Sequence, residues 1–287
     1  MHVFIGTPCY GGQLYCTCAQ SIMDVMNARE KYGVEVTVRF LPGESLITRG
    51  RNTIVAEFLC HPEYTHLFFV DADISFSADA FFRQVLSEHE VTGGVYPKKT
   101  IRPEKVISVV EKHGAGLNPK ALIPTSLDYV VNASTSSIEV PKDRFVSVDY
   151  VGTGFMCIKR SAIEKLIEAY PERYRNDIDS VTMFEPNFYL LFDCLVDPKT
   201  RRYLSEDFAF CRKCLDIGIP IYADLLTPLC HTGTYPFQGY WLNSLSVSKR
   251  GAEQSDEPDS EPVSDEPVSD AETVSEPVSE PDASSID

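Results

Sequence analysis

The chain has 287 residues, 43% of them apolar, and a formal net charge of −16 at pH 7. This length suits one large α/β domain or two small ones, and the apolar content is sufficient for a sizeable core. The acidic balance and the absence of a clustered basic face argue against nucleic-acid binding, and no run of residues reaches the length of a membrane span.

The acidity is concentrated in a C-terminal tail, residues 251–287. This segment holds 13 of the 42 Asp and Glu residues and no Lys or Arg, so residues 1–250 carry 29 acidic against 26 basic side chains. The tail repeats Glu-Pro-Val three times and has no aromatic residue, so it buries too little apolar surface to offset the entropy of ordering. The sequence therefore predicts one folded domain over residues 1–250 and a disordered, dispensable acidic tail.

The nine cysteines do not form a metal or disulfide pattern. Cys211 and Cys214 lie in a stretch with a helical pattern, which argues against the knuckle turns of a zinc site shared with Cys16 and Cys18. The other cysteines sit singly among apolar residues, where a thiol acts as a small hydrophobe. Because no secretory signal precedes the first strand, we expect a cytoplasmic protein with reduced thiols.

The N-terminal half alternates between strand and helix patterns. Strands are predicted at HVFIGTP, 34–42, THLFFVDAD and VTGGVYP, with helices between them at about 13–31, from about 46, and at 77–88. This alternation predicts an α/β fold with a mostly parallel central sheet and helices on both faces. Ligands of such sheets bind beyond the carboxyl ends of the strands, where Thr7-Pro8 and Asp71/Asp73 fall.

The C-terminal half has a less regular pattern. Between about 105 and 150 we expect strand pieces joined by long loops, among them KVISVVEKHGAG. A helix is predicted over 160–170, and another begins at Ser205 and ends at Gly218. A last strand region, PIYADLLTPLCH, ends at His231.

Asp71 and Asp73 end the otherwise apolar strand YTHLFFVDADISF. Side chains alternate along a strand, so both carboxylates point to the same side, and their repulsion and desolvation require a compensating cation or proton. Such a pair can share Mg²⁺ or Mn²⁺ and leave room for phosphate oxygens, and the imidazole of His231 would favour Mn²⁺. A metal clamp on a diphosphate and a separate carboxylate base are what sugar transfer from a nucleotide sugar requires.

Five segments, in this order, resemble a GT-A-fold glycosyltransferase: HLFFVDADISF, TGGVYPKK, VGTGFMCIKRSAIEKL, YLSEDFAFCRKCLDIGIPIYAD and HTGTYPFQG. The nearest pattern is the soluble type found in viruses and bacteria, which is compatible with a virus-encoded enzyme of the host cytosol. RGRNTIVAEFL also resembles fungal Golgi mannosyltransferases. The resemblance, over roughly residues 2–240, implies a Rossmann-like GT-A fold, a Mn²⁺ or Mg²⁺ cofactor, a nucleotide-sugar donor (UDP-sugar first, GDP-mannose second) and a glycan, protein or small-molecule acceptor.

The resemblance also implies roles for residues on the donor side. Thr7 and Pro8 would line the nucleotide pocket, and Arg51 would approach the donor or its phosphates. Asp71 would contact the ribose or the metal, and Asp73 would be the central metal ligand. His231 corresponds to the C-terminal metal histidine of the family.

Further roles are implied on the acceptor side. Gly152, Thr153 and Gly154 would form the wall where donor sugar and acceptor meet. Asp207 would be the base of an inverting reaction, which is favoured because no further nucleophile is evident, and Glu206 would contact sugar hydroxyls.

Other interpretations of these residues stay open. Glu206 and Asp207 also suit the first turn of a helix capped by Ser205. A nucleotide-sugar-binding domain without turnover is one alternative function. A haloacid-dehalogenase-like phosphohydrolase with Asp71 as nucleophile is another, and it fits poorly because that motif belongs near the chain start, whereas four elements precede Asp71.

Overall fold

The computed structural model describes residues 1–114, 118–132, 141–174 and 187–234. The predicted domain boundary at 250 and the predicted tail lie outside these residues. In chain order the elements are β1 (His2–Cys9), a 3₁₀ turn (Tyr10–Gly12), α1 (Cys16–Tyr32), β2 (Glu35–Pro42), α2 (Ile47–Leu59), β3 (His66–Val70), β4 (Ile74–Ser75), α3 (Ala78–Val85), β5 (Val91–Gly94), β6 (Pro97–Ile101), α4 (Pro103–His113), α5 (Pro119–Thr125), β7 (Leu127–Tyr129), β8 (Val131–Asn132), β9 (Phe145–Val148), β10 (Tyr150–Val151), β11 (Phe155–Lys159), α6 (Arg160–Ala169), β12 (Leu195–Val196), β13 (Tyr203–Leu204), α7 (Glu206–Asp216), β14 (Ile221–Asp224) and β15 (Cys230–His231).

The central sheet of the described chain has seven strands in the order β2-β1-β3-β11-β5-β14-β9. β1 pairs in parallel with β2 and β3, and β5 pairs in parallel with β14. β11 runs antiparallel to β3 and β5, and β9 runs antiparallel to β14. Five of these seven strands therefore share one direction. With helices on both faces, this confirms the predicted α/β class with a mostly parallel sheet.

Two hydrophobic cores lie on opposite faces of the sheet because side chains alternate along each strand. In β3, Leu67 and Phe69 belong to one core and Phe68 and Val70 to the other, and all four are fully buried. The first core packs under α2, α6 and α7, and the second under α1 and α3. A strand buried on both faces needs an unbroken apolar run, so the polar pair can come only where the strand ends.

A small ladder joins the end of the described chain to this strand end. β4 follows β3 after a short turn and pairs antiparallel with β15, so that Ile74 lies opposite His231. The backbone N–H of Thr232 also donates to the carbonyl of Asp73 at 2.8 Å. Residues far apart in sequence thus meet at the carboxyl edge of the sheet.

Residues 105–113 of the segment KVISVVEKHGAG lie in helix α4, so the prediction of a strand piece there was wrong. α4 begins at Pro103, which suits proline because the first-turn N–H has no helical partner. Val106, Ile107 and Val110 recur at helical spacing. The error came from giving β-branched composition more weight than this period and the proline start.

The other predicted helices are found within a few residues of their expected bounds. Ser77 caps α3 as predicted, because its Oγ accepts from the N–H of Ala80 at 3.2 Å. All nine cysteines are free, and Cys211 and Cys214 are buried within α7. No helix in the described part of the chain is long and apolar enough to cross a membrane.

Candidate active site

A cavity of about 770 Å³ opens beyond the carboxyl ends of β1 and β3. This volume lies in the range of small-molecule and cofactor sites. The predicted residues that line it come from the end of β1, from α2, from the turn after β3 and from the start of α7: Pro8, Arg51, Asp71, Asp73 and Glu206. The edge predicted from the strand order is therefore the edge that carries the cavity.

Arg51 joins two of the predicted site carboxylates. It is only 3% exposed, and its Nη2 donates to Oδ1 of Asp71 at 2.9 Å while its Nε donates to Oε1 of Glu206 at 3.3 Å. Burial lowers the pKa of Arg51, but the two carboxylates outweigh burial and raise it above its usual value. Its Nη1 has no hydrogen-bond partner among the described residues. Arg51 is thus a permanent buried cation that fixes Asp71 and Glu206 at the cavity wall.

Asp73 lies between a histidine and a lysine. Its Oδ1 is 3.4 Å from Nε2 of His231, and its Oδ2 accepts a hydrogen bond from Nζ of Lys99. Burial raises the pKa of Asp73, but its contacts with His231 and Lys99 hold it below its usual value. Asp73 is therefore a carboxylate with one oxygen directed at each of these groups.

The tautomer of His231 follows from its second contact. Its Nδ1 lies 2.8 Å from the carbonyl oxygen of Pro97. A carbonyl can only accept, so Nδ1 carries the hydrogen, and in the neutral ring the lone pair is on Nε2. Two electron pairs, on Nε2 of His231 and Oδ1 of Asp73, therefore face each other and require a cation or a proton between them.

This donor set fits a divalent ion held by two protein ligands. A ligating histidine that donates its other N–H to a backbone carbonyl is the usual arrangement at metal sites. No group of three potential metal-binding side chains occurs among the residues that the structure describes, and one oxygen of Asp71 already accepts from Arg51. Mg²⁺-type sites commonly take one or two carboxylates and complete their shell with substrate phosphates and water. Asp73 and His231 therefore fit a metal whose remaining ligands come from a bound substrate.

Asp207 lies in the first turn of α7 and outside the described lining of the cavity. Ser205 occupies the cap position, but its hydroxyl donates to Oδ1 of Asp207 and does not cap the backbone. The same oxygen accepts from the N–H of Phe208 at 2.8 Å. Burial raises the pKa of Asp207, and the neighbouring Glu206 raises it further, while the Ser205 hydroxyl and Arg51 act against them. A carboxylate with a raised pKa is suited to accept a proton near neutral pH.

Gly152, Thr153 and Gly154 are buried, and the two glycines pack against Tyr96. A Cβ on Gly152 would lie 2.1 Å from the Tyr96 hydroxyl oxygen, so only glycine fits there. That hydroxyl accepts from the N–H of Gly154 at 3.1 Å, and the carbonyl of Gly154 accepts from the N–H of Asp71 at 3.0 Å. The predicted wall therefore supports the Asp71 turn from behind, and its role toward donor and acceptor stays a prediction.

Sequence reasoning missed Tyr96 and the segment after β1. Tyr96 is 6% exposed and also lies edge-on to the His231 ring at 5.4 Å, and burial raises its pKa. Tyr10 and residues 13–16 line the cavity, and the N–H of Tyr15 donates to the carbonyl of Ala72 at 2.8 Å. The only signal for Tyr10 and residues 13–16 was their position after the first predicted strand, whereas nothing set Tyr96 apart within the predicted strand VTGGVYP.

Thr7 lies just behind the cavity. It is fully buried, and its Oγ1 has no hydrogen-bond partner in the described part of the chain. Of the predicted Thr7-Pro8 pair, only Pro8 lines the cavity. The nucleotide role of Thr7 stays a prediction.

No family model matches the chain, and no curated protein matches it. Among solved structures, A197 from STIV is 16% identical with a TM-score of 0.44, over 82% of this chain and 87% of that one. The inositol-1-phosphate CTP transferase from T. maritima is 12% identical with a TM-score of 0.39, over 88% and 98%. GalNAc-T7 with UDP, GalNAc and Mn²⁺ is 10% identical with a TM-score of 0.44, over 82% and 44%. At these values the function proposed below rests on the chain's own residues.

Proposed function

We propose that the protein is a metal-dependent glycosyltransferase that moves a sugar from a nucleotide-sugar donor to a hydroxyl acceptor. The observation that carries the proposal is the facing pair of Asp73 Oδ1 and His231 Nε2, which are 3.4 Å apart. Asp73 lines the cavity beyond the strand ends, and His231 lies behind it, outside the described lining. Such a pair suits a divalent ion whose coordination shell is completed by the oxygens of a diphosphate.

Asp73 and His231 would hold the Mn²⁺ or Mg²⁺ ion, with Mn²⁺ preferred because of the imidazole. When bound, the ion would neutralise charge on the leaving nucleoside diphosphate. Asp71 would bind the donor ribose or share the ion. Arg51 would keep Asp71 in place, because its Nη2 already donates to that carboxylate.

Asp207 is the proposed base that removes the acceptor proton. Its raised pKa suits this role, because a base works best when its pKa lies near the working pH. Its Oδ1 accepts two hydrogen bonds within its own turn, so the other oxygen is the one proposed to face the acceptor. Glu206 would contact sugar hydroxyls from the cavity wall. With no covalent nucleophile in this scheme, the reaction would invert the anomeric centre.

The donor is proposed to be a UDP-sugar, with GDP-mannose second, and the acceptor a glycan, protein or small molecule. Thr7 and Pro8 would contact the nucleotide, and Gly152, Thr153 and Gly154 the region between donor sugar and acceptor. Cytoplasmic action is part of the proposal.

Donor hydrolysis tests the proposal. The full chain is incubated with UDP-, GDP-, CMP- and dTDP-sugars, with Mn²⁺, Mg²⁺ or chelator, and released nucleotide is measured beside Asp73→Asn. We expect metal-dependent release from one donor and loss of release in the variant. If a donor stabilises the protein against unfolding but no nucleotide is released, even after acceptors are added, a binding domain is favoured. If no donor causes either release or stabilisation, the proposal is overturned.

A further inference from the structure

Lys99 forms an ion pair with Asp73, the carboxylate that would bind the proposed metal. Its Nζ donates to Oδ2 of Asp73, while the other oxygen of that carboxylate faces His231. The Lys99 side chain is 40% exposed and Asp73 is 24% exposed. The protein therefore carries a cation of its own at the site, on a side chain that is free to move into solvent.

The chain provides room for this lysine. The stem of Lys99 passes over Gly233, where an added Cβ would lie 2.6 Å from Cδ of Lys99. Gly233 lies two residues after the end of β15, the strand that carries His231. The segment that supplies the histidine thus also leaves the space through which Lys99 reaches Asp73.

A divalent ion on Asp73 would change the position of Lys99. Two cations on one carboxylate repel each other, and the repulsion of a divalent ion is twice that of a single charge. Lys99 then needs another anion within reach of its stem. The anion that a metal on Asp73 would bring is the diphosphate of the donor, for which an ammonium on a long flexible chain is a suitable partner.

We propose that Lys99 is a resident counter-ion that alternates with the metal: it neutralises Asp73 when no metal is bound, and it binds the donor diphosphate when the metal takes Asp73. The second half of this inference rests on the proposed function. If Lys99 only paired with Asp73, the pair would stabilise the fold slightly, and removing the lysine would leave the affinity for a diphosphate at saturating Mn²⁺ unchanged.

The first test measures Mn²⁺ binding by the full chain without nucleotide. The electron paramagnetic resonance signal of free Mn²⁺ is the readout. Lys99→Met is compared with wild type, with Lys98→Met as the matched control and Asp73→Asn as the blank. Lys99→Met is expected to bind Mn²⁺ about 30-fold more tightly, the factor for removing one unit charge about 4 Å from a divalent ion in a water-like medium. Gly233→Ala should shift affinity in the same direction by displacing the lysine stem. Lys98→Met should match wild type within about twofold.

The second test is the affinity of UDP and GDP at saturating Mn²⁺, measured by calorimetry. The nucleotide that wild type binds more tightly should lose about tenfold affinity in Lys99→Met, the order expected for one charge-assisted hydrogen bond, and less than threefold in Lys98→Met. Equal losses in the two variants would overturn the diphosphate role.

Mn²⁺ binding in Lys99→Met that equals wild type, or is weaker, would overturn the alternation, as would the absence of Mn²⁺ binding in every variant. The proposed function fails separately, on donor turnover. Tighter Mn²⁺ binding in Lys99→Met together with no turnover of any donor would reject the transferase and retain the exchange of lysine for metal.

Discussion

His231 Nε2 lies 3.4 Å from Asp73 Oδ1, and the Pro97 carbonyl 2.8 Å from Nδ1 leaves the neutral ring no hydrogen to give to that carboxylate. The pair is stable only with a cation or an extra proton between its two electron pairs. Two carboxylates can therefore stand at the end of this strand only if each has a cation beside it. Asp71 is compensated by Arg51, and Asp73 by Lys99.

Asp73→Asn should abolish metal binding and transfer while leaving the fold intact. The variant keeps the shape of the side chain but removes the charge that a divalent ion needs. Because the ion pairs of Asp73 are partly exposed, we expect a loss of less than about 1 kcal/mol in the free energy of unfolding. Transfer and Mn²⁺ binding should fall by at least about 100-fold, as for loss of a metal ligand or its support.

Asp128→Asn is the matched control for this variant. Asp128 pairs with Arg102 and Lys105 on the neighbouring segment and is 29% exposed, close to the exposure of Asp73. It should keep wild-type transfer. Residual metal-dependent transfer near the wild-type rate in Asp73→Asn would show that the metal lies elsewhere.

Asp207→Asn should abolish transfer and stabilise the protein slightly at neutral pH. Burial raises the pKa of Asp207 in the folded protein, so the folded state binds a proton on this group more tightly than the unfolded state does. The stability that this proton contributes is fully present below the ordinary Asp pKa, and it is lost as pH rises through the folded pKa. The asparagine side chain carries no charge and escapes this loss, and its carbonyl oxygen can still accept from Ser205 and Phe208.

The measurement is urea unfolding of both proteins between about pH 4 and 8, with donor turnover in parallel. The stability advantage of Asp207→Asn should shrink toward zero as pH falls. Wild-type transfer should decline on the acid side, as the base becomes protonated. An Asp207→Asn protein that retains transfer would remove Asp207 from the base role and leave it as part of the helix start.

Arg51→Met should destabilise the fold because two carboxylates lose their buried partner. Removing one member of a buried ion pair costs about 3–5 kcal/mol, and the lower end applies here because Asp71 is 29% exposed and Glu206 14% exposed. Adding Glu206→Gln should recover part of the loss. Arg39→Met, which breaks a 3.0 Å pair with Glu57 in which Arg39 is 42% exposed, should cost less than about 1 kcal/mol. Equal losses for the two arginines would contradict the assigned role of Arg51.

Sequence patterns predicted what depends on local periodicity and on strand order. The apolar run before Asp71 required a strand buried on both faces, and the alternation of elements placed Pro8 and Asp73 at one edge. The resemblance to GT-A-fold glycosyltransferases also singled out Arg51 and Glu206, each by itself. That they share a hydrogen bond across 155 residues depends on how α2 and α7 pack, which no local period encodes. Tyr96 carried no signal because its contacts with Gly154 and His231 arise only when three segments meet.

Gly152→Ala should disrupt the turn that holds Asp71. The new Cβ would lie 2.1 Å from the hydroxyl oxygen of Tyr96 and 2.8 Å from a methyl carbon of Val130. Tyr96 is buried and cannot move aside without releasing the N–H of Gly154. Overpacking of this kind costs about 1–3 kcal/mol, and the shift should reach Asp71 because its N–H donates to the Gly154 carbonyl.

A double-mutant cycle with Tyr96→Phe separates this clash from a general intolerance of the loop. Tyr96→Phe alone should cost about 1 kcal/mol or more, because the N–H of Gly154 loses its acceptor. In the Gly152→Ala background the same change also removes the atom that the new methyl group meets, so the double variant should be more stable than the sum of the two single effects predicts. Purely additive losses in urea unfolding would place the cause of the Gly152→Ala defect at Val130 or at the ring carbon Cζ of Tyr96, each 2.8 Å from the new Cβ, and not at the hydroxyl of Tyr96.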